Sequence, residues 1–414
     1  MNSVPEGVVQ HILSQMSNAR DIASCACVSK RWKDSIPFLP SLYFPRGVFD
    51  GLPRADADAA ISHMVSSALC LEELVIYCPF SASHLASWLS LRSHSLRRLE
   101  LRMDCTAEKP APCRLDAIGS AKNLEDLKLW GVSLTKSPNW GVLQRLRVLE
   151  IVGAAVRDTA IKDVVQACPK LVELALLGCD GCSSVYIELD SLEKCRLDFL
   201  GSANSSVHLS SPKLVNLELQ GFSWIHVNER HSLRRLSIAK TSGSVYKVDV
   251  GKLPDLEYLS IRGVQWSWNA ISSVLQSGSE VKHLLMKIEF TGDLDTLQPF
   301  PQIDLVDFFN NHQKLCKFEI HGAMFAALCQ KNSLKNLDSR FSIPCLEEVL
   351  VTVRSPLNPL QKLNTLESLV KYSVNLQKLV IRISKMRNCH ETADEFFKQI
   401  CKFKHMNHNI VHIE

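Results

Sequence analysis

The sequence predicts an α/β chain: a short N-terminal helical segment followed by a curved repeat solenoid with a parallel β-sheet on its concave face. Three observations carry this. The phrase Leu-x-x-Leu-x-Leu, or a close variant, starts at Leu71, Leu96, Leu124, Leu146, Leu171, Leu192, Leu214, Leu233, Leu256, Val281, Leu315, Leu346 and Leu376. The phrase has the period-two alternation of a strand, so its fourth and sixth positions face one way and its third, fifth and seventh the other. Residues 1–45 lack the phrase and read as helices instead.

The markers stand 19–34 residues apart, and the last three steps are the longest. Most steps fall in the roughly 20–29-residue period of leucine-rich repeats. One unit cannot bury its leucines alone, whereas stacked units share a continuous core and pair their strands. The inward set includes Leu74 and Ile76, Leu127 and Leu129, Leu217 and Leu219, and Leu379 and Ile381. This gives two domains, 1–45 and 46–414, the second with about 13 repeats and a C-terminal cap.

In the first domain Ser3-Val4-Pro5-Glu6 reads as a capping box, with Val8, Val9, Ile12, Leu13 and Met16 at helical spacing behind it. Asn18 to Asp21 breaks that helix and caps a second through Ile22, Cys25 and Val28. Ser29 caps a third, which carries Trp32 and Ile36 until Pro37 stops it. Three such helices are too few for a core of their own and must lean on something.

These residues resemble an F-box. Val4-Pro5-Glu6, Ile12-Leu13-Ser14, Arg20-Asp21-Ile22 and Cys27-Val28-Ser29-Lys30-Arg31-Trp32-Lys33 follow the family's pattern in order and spacing over residues 2–45. With the repeats behind it, the chain resembles the plant F-box/leucine-rich-repeat proteins. The resemblance implies docking of a Skp-type adaptor and, through it, of cullin and RING subunits, in an SCF ubiquitin ligase whose repeat domain holds a protein substrate. It implies Val4, Pro5, Glu6, Val9, Ile12, Leu13, Val28, Lys30 and Trp32 as adaptor-binding residues. The alternative is a non-catalytic repeat scaffold that binds the adaptor without directing ubiquitin transfer.

Further along, Ile61, Met64, Val65, Ala68 and Leu69 make an amphipathic helix, the outer half of the first repeat. Asp158 or Thr159 caps another through Ile161, Val164, Val165 and Cys168. From Leu171 to Leu256 the units shorten to 19–23 residues, so a loop or single turn is expected on their outer side. Helices return at Leu305–Phe309, Ala323–Cys329 and Leu363–Val370, and one at Asp394–Phe403 closes the core. The tail with His405, His408 and His412 reads as a solvated helix or fraying end rather than a metal site.

The substrate surface is expected at the outward strand positions, with Arg98, Arg102, Trp130, Arg235, Tyr258 and Arg262 as candidates, because exposed Arg and aromatic residues are enriched at binding hot spots. Trp266 and Trp268 fit either an aromatic rim or packing under an outer loop.

Other classes are excluded or disfavoured. Lys+Arg 47 against Asp+Glu 43 leaves +4 with no basic stripe, so no nucleic-acid partner is expected. Leu74 to Leu91 is uncharged but holds a proline, a histidine and four serines, so no membrane partner is expected either. The 15 cysteines sit mostly inside apolar phrases and no secretory start is present, which points to free thiols in the cytoplasm, the nucleus or both. Cys179-Asp-Gly-Cys182 lacks the second pair that a zinc site needs. No nucleotide-binding, metalloprotease or nucleophile-elbow motif occurs, so the chain is read as non-catalytic and without a cofactor.

Overall fold

The computed structural model describes residues 4–104, 112–200, 204–228, 232–289, 301, 303–329, 341–355, 358–384 and 390–414. By packing, the chain divides into two compact units: residues 1–202 with 209–213, and residues 203–208 with 214–414.

The first unit begins with α1 (Glu6–Ser14), α2 (Ala19–Ala26) and α3 (Lys30–Asp34), then a 3₁₀ turn at Ile36–Phe38. Pro5 occupies the N-cap of α1 with no side-chain hydrogen bond, and Ser3, expected there, lies outside the described residues. The other two caps form as expected. The Asn18 side chain accepts the Arg20 N–H at 2.9 Å, and Ser29 Oγ accepts the Trp32 N–H at 3.5 Å.

A strand absent from the sequence reading, Ser41–Phe44, follows at once and pairs in parallel with Glu73–Ile76. It is what the helices lean on. The Tyr43 N–H donates to the Ser17 carbonyl at 2.6 Å, and the Cys70 N–H to the Pro37 carbonyl at 3.0 Å. Parallel strands Arg98–Arg102, Asp126–Trp130, Val148–Val152, Glu173–Cys179 and Lys194–Phe199 continue this sheet, each beside the last. Their register stacks Leu74, Leu99, Leu127, Leu149, Leu174 and Cys195 in one row. All six are at most 1% exposed. Burying one such leucine is worth roughly 2 kcal/mol, so the row is a main source of cohesion.

Outside this sheet lie helices Arg54–Ser67, Leu85–Leu91 and Asp158–Ala167. The last is not capped by its own acid. The Asp158 carboxylate instead accepts the Ser183 N–H and O–H at 2.9 and 2.6 Å and the Ser184 N–H at 3.1 Å, tying one repeat to the next.

The second unit carries parallel strands Asn216–Gln220, Arg235–Lys240, Tyr258–Val264, His283–Glu289, Lys317–His321, Glu348–Val353, Lys378–Ile383 and Val411–Ile413. Helices Trp268–Ser277, Leu305–Asn311, Gly322–Cys329, Pro359–Tyr372 and His390–Met406 cover its other side. Phe396, Ile400 and Phe403 of the last helix are buried, as a closing element requires. The tail does not fray: Val411–Ile413 adds a final strand beside Leu379–Ile381. Gly263 is obligatory here, at φ +125° and with the Lys240 carbonyl only 1.9 Å from where a Cβ would sit.

The outer side of the short repeats corrects the reading of loops. Ser184–Glu188 in the first unit, and Trp224–Val227 paired with Lys247–Asp249 in the second, are strands. A strand climbs about 3.3 Å per residue against 1.5 Å for a helix, so a short unit spans its outer side more cheaply as a strand. The alternation was visible: Val185, Ile187, Ile225, Val227 and Val248 are buried and their neighbours are not.

Candidate functional site

Two surfaces carry the candidate residues. On the helical segment, Val8 (44%), Ile12 (39%) and Val28 (53%) expose large apolar side chains, as does Phe38 (53%) on the turn that follows. Val8 and Ile12 lie four residues apart and so share one side of α1. Pro5, Glu6 and Lys30 are exposed, and Val4 and Trp32 are half-buried. Two candidates must be reassigned. Val9 and Leu13 are each 1% exposed and face inward, so they hold the helices together and offer a docking partner nothing. Val8, Val9, Ile12 and Leu13 make a wide apolar stripe on α1, and only packing decides which part of it is covered.

The second surface is the open side of the strands. In the first unit Glu100 lies at its centre: Tyr77 donates its hydroxyl at 2.5 Å and Trp130 its indole N–H at 3.2 Å to the same Glu100 oxygen. Burial and this hydrogen bond push the Tyr77 hydroxyl up to about 12, so it stays a donor. Arg102 lies over the Trp130 ring at 5.4 Å and forks onto Asp104 at 2.9 and 3.0 Å. Arg98 bridges Glu73 at 3.1 Å and Asp126 at 3.3 Å. Burial raises the Asp126 carboxyl, and its second oxygen has no hydrogen-bond partner.

In the second unit Arg235 sits over the Tyr258 ring at 4.5 Å, and Tyr258 meets His283 edge-on at 4.9 Å. His283 in turn stands 3.4 Å from Glu319, whose carboxyl it holds below the usual range. Arg262 donates to Ser237 Oγ at 3.2 Å. The six candidates thus form two groups of three, one on each unit, with each guanidinium tied to a neighbouring strand or turn.

A further apolar strip went unread. Register places Val152 beside Trp130 and Leu177 beside Val152, with Val148 and Ala175 half-buried nearby on the same side. Apolar residues at positions where the alternation calls for polar ones were the available signal. Trp266 does not contribute a rim: it is 4% exposed and its indole N–H donates to the Arg262 carbonyl.

The Cys168 and Cys179 thiols are inert by environment. Burial pushes Cys168 up to about 12 and Cys179 up to about 11. Among the described residues no group of three His, Cys, Asp or Glu side chains is arranged to hold a metal, and no helix is long and apolar enough to cross a membrane.

An F-box-like family model matches residues 1–43, and a model of the leucine-rich repeats of an FBD-associated F-box protein matches residues 85–261. The F-box protein At1g10780 of Arabidopsis thaliana is 54% identical over the full length of both chains. The chain belongs to the F-box family. A more distant Arabidopsis relative, the F-box/LRR-repeat protein At1g67190, is 25% identical over 54% of this chain and 50% of its own. The F-box-like match spans α1–α3, and the repeat match spans the parallel strands from Arg98–Arg102 to Arg235–Lys240.

Proposed function

We propose that this F-box protein is the substrate-recognition subunit of an SCF ubiquitin ligase, with its helices docking a Skp-type adaptor and its repeats holding a protein substrate. The observation that carries the reading is the uncovered apolar set Val8 and Ile12 on α1 with Val28 in the turn between α2 and α3, in a segment that buries Val9, Leu13, Ala19 and Ile22. Small interfaces concentrate their energy in such residues once water is excluded. The adaptor joins the protein to cullin and RING subunits, and a separate conjugating enzyme transfers ubiquitin. No bond is made or broken by this chain; its contribution is proximity, since a tethered substrate is presented at high effective concentration.

The open strand surface suits a protein partner. Trp130 with Val152 and Leu177 offers an apolar floor, and Arg102 and Arg98 fix orientation around it. Twelve cysteines among the described residues are free thiols, which supports a place in the cytoplasm, the nucleus or both.

The test is co-purification of adaptor and cullin with the full chain. Ile12→Lys combined with Val28→Lys should abolish adaptor capture while leaving the melting temperature within about 2 °C. Unchanged capture would overturn the reading. If adaptor and cullin bind but a captured partner is never ubiquitinated in the reconstituted complex, the scaffold alternative replaces it.

A further inference from the structure

Trp224–Val227 and Lys247–Asp249, outer strands of the second unit, hold exposed aromatic side chains on a rigid base. Val207, Ile225 and Val248 are each at most 2% exposed, so the residues alternating with them point outward. Trp224 and His226 stand outward with Lys247 and Asp249 as their register partners, and the His208 ring lies 5.7 Å from that of His226. With Asn204 and Ser206 they line an open cavity of about 500 Å³, all of it within the second unit. Two contacts shape a slot in it. Tyr246 precedes Lys247 and stacks on the Trp224 indole at 5.1 Å, so it covers that ring from the side of the strand starts and leaves the other face toward His226. Asp249 tethers His226 through Nδ1 at 3.2 Å. Residues two apart on a strand stand about 6.7 Å apart. Stacked bases stand about 3.4 Å apart, so this spacing admits one flat ring between Trp224 and His226 and is too narrow for a puckered sugar ring.

We propose that this slot binds an adenine-type base. Stacking supplies the affinity, because every base offers a π-face to an aromatic side chain. The groups around the slot supply the choice of base. The Asn204 amide carries a donor and an acceptor side by side, the pattern that matches the amino group and adjacent ring nitrogen of adenine. Ser206 and Asp249 offer further acceptors to the same ring edge. Charge decides what is not bound. Lys247 is the one lysine or arginine among the described lining residues and Asp249 offsets it, so the ring rather than a phosphate is recognised. A free nucleoside and an unstacked base of single-stranded RNA present this same ring. The slot belongs to neither the F-box helices nor the open side of the parallel strands, so it stands or falls apart from the receptor reading.

The test is calorimetric titration of the full chain with adenosine, inosine and AMP. Adenosine should bind with a Kd of about 0.1 mM, the level expected of an efficient ligand of its size. Inosine, which lacks the amino group, should bind roughly tenfold more weakly. Trp224→Leu should weaken adenosine at least about tenfold by removing one wall of the slot. Asn204→Leu, at an exposed position outside the strands, should erase the preference over inosine and keeps the test decisive should Trp224→Leu unfold. No heat with adenosine up to about 1 mM, or equal affinity in Trp224→Leu, would overturn the proposal. So would AMP binding more than about tenfold more tightly than adenosine, which would make phosphate the recognised group, or a proline-rich peptide outcompeting adenosine, which would make the cleft a protein-docking surface. Tetra-adenylate then tells the source of the ring. Binding well above that of AMP supports the slot with RNA as its ligand, and binding equal to it supports the slot with a free nucleoside.

Discussion

The three helices and the strand stack solve the same problem in opposite ways. In the stack every marker from Leu71 to Leu346 is at most 1% exposed, because each repeat finds its apolar partner in the repeat beside it. The helices are too short to do this. They sink Val9, Leu13, Ala19 and Ile22 inward, tie themselves to Ser41–Phe44, and still leave Val8, Ile12 and Val28 in water. What the difference teaches is that apolar residues left over after packing mark where another protein is needed.

Substitutions can break or sharpen that contrast. The largest effect is expected in the stack: Leu149→Ala should cost about 3 kcal/mol in urea unfolding, since its row has no room to collapse. A loss under about 1 kcal/mol would deny the stack its shared core. Next comes Leu13→Ala, expected to destabilise by about 2 kcal/mol and to weaken adaptor capture only in proportion to unfolding. Val8→Ser should do the reverse, lowering adaptor affinity about tenfold in calorimetry while stability changes by less than about 0.5 kcal/mol. If Leu13→Ala and Val8→Ser act alike, the division between inward and outward residues is wrong.

The smallest effect is electrostatic. His283, by its hydrogen bond, holds the Glu319 carboxyl below its ordinary value. A carboxyl depressed in the folded state adds stability above its unfolded pKa, and that stability is lost as pH falls through the folded value. Glu319→Gln should therefore flatten the acid limb of the stability profile below about pH 4.5 and leave neutral pH nearly unchanged. A steeper limb in the variant would contradict the pairing.

The repeat phrase led to the parallel strands and their inward rows, and helical spacing with caps led to the F-box helices, because periodicity and caps are local properties of the chain. Asn18 and Ser29 cap as written. The outer strands Ser184–Glu188 and Trp224–Val227 were also legible in their alternation, although length suggested loops. Ser41–Phe44 and Val411–Ile413 were not legible, since a four-residue or three-residue strand exists only through the neighbour it pairs with.

The amino-acid order by itself determined that leucines would stack, that Asn18 and Ser29 would cap helices, and that a helical segment precedes the repeats. Tertiary structure alone decided which side of α1 stays wet, so that Ile12 is offered and Leu13 withheld. It alone also decided which carboxylates a cation finds, so that Arg98 bridges Glu73 and Asp126 on the strands to either side. The reason is physical: secondary structure answers to spacing along the chain, whereas burial and charge pairing depend on neighbours brought from elsewhere in it.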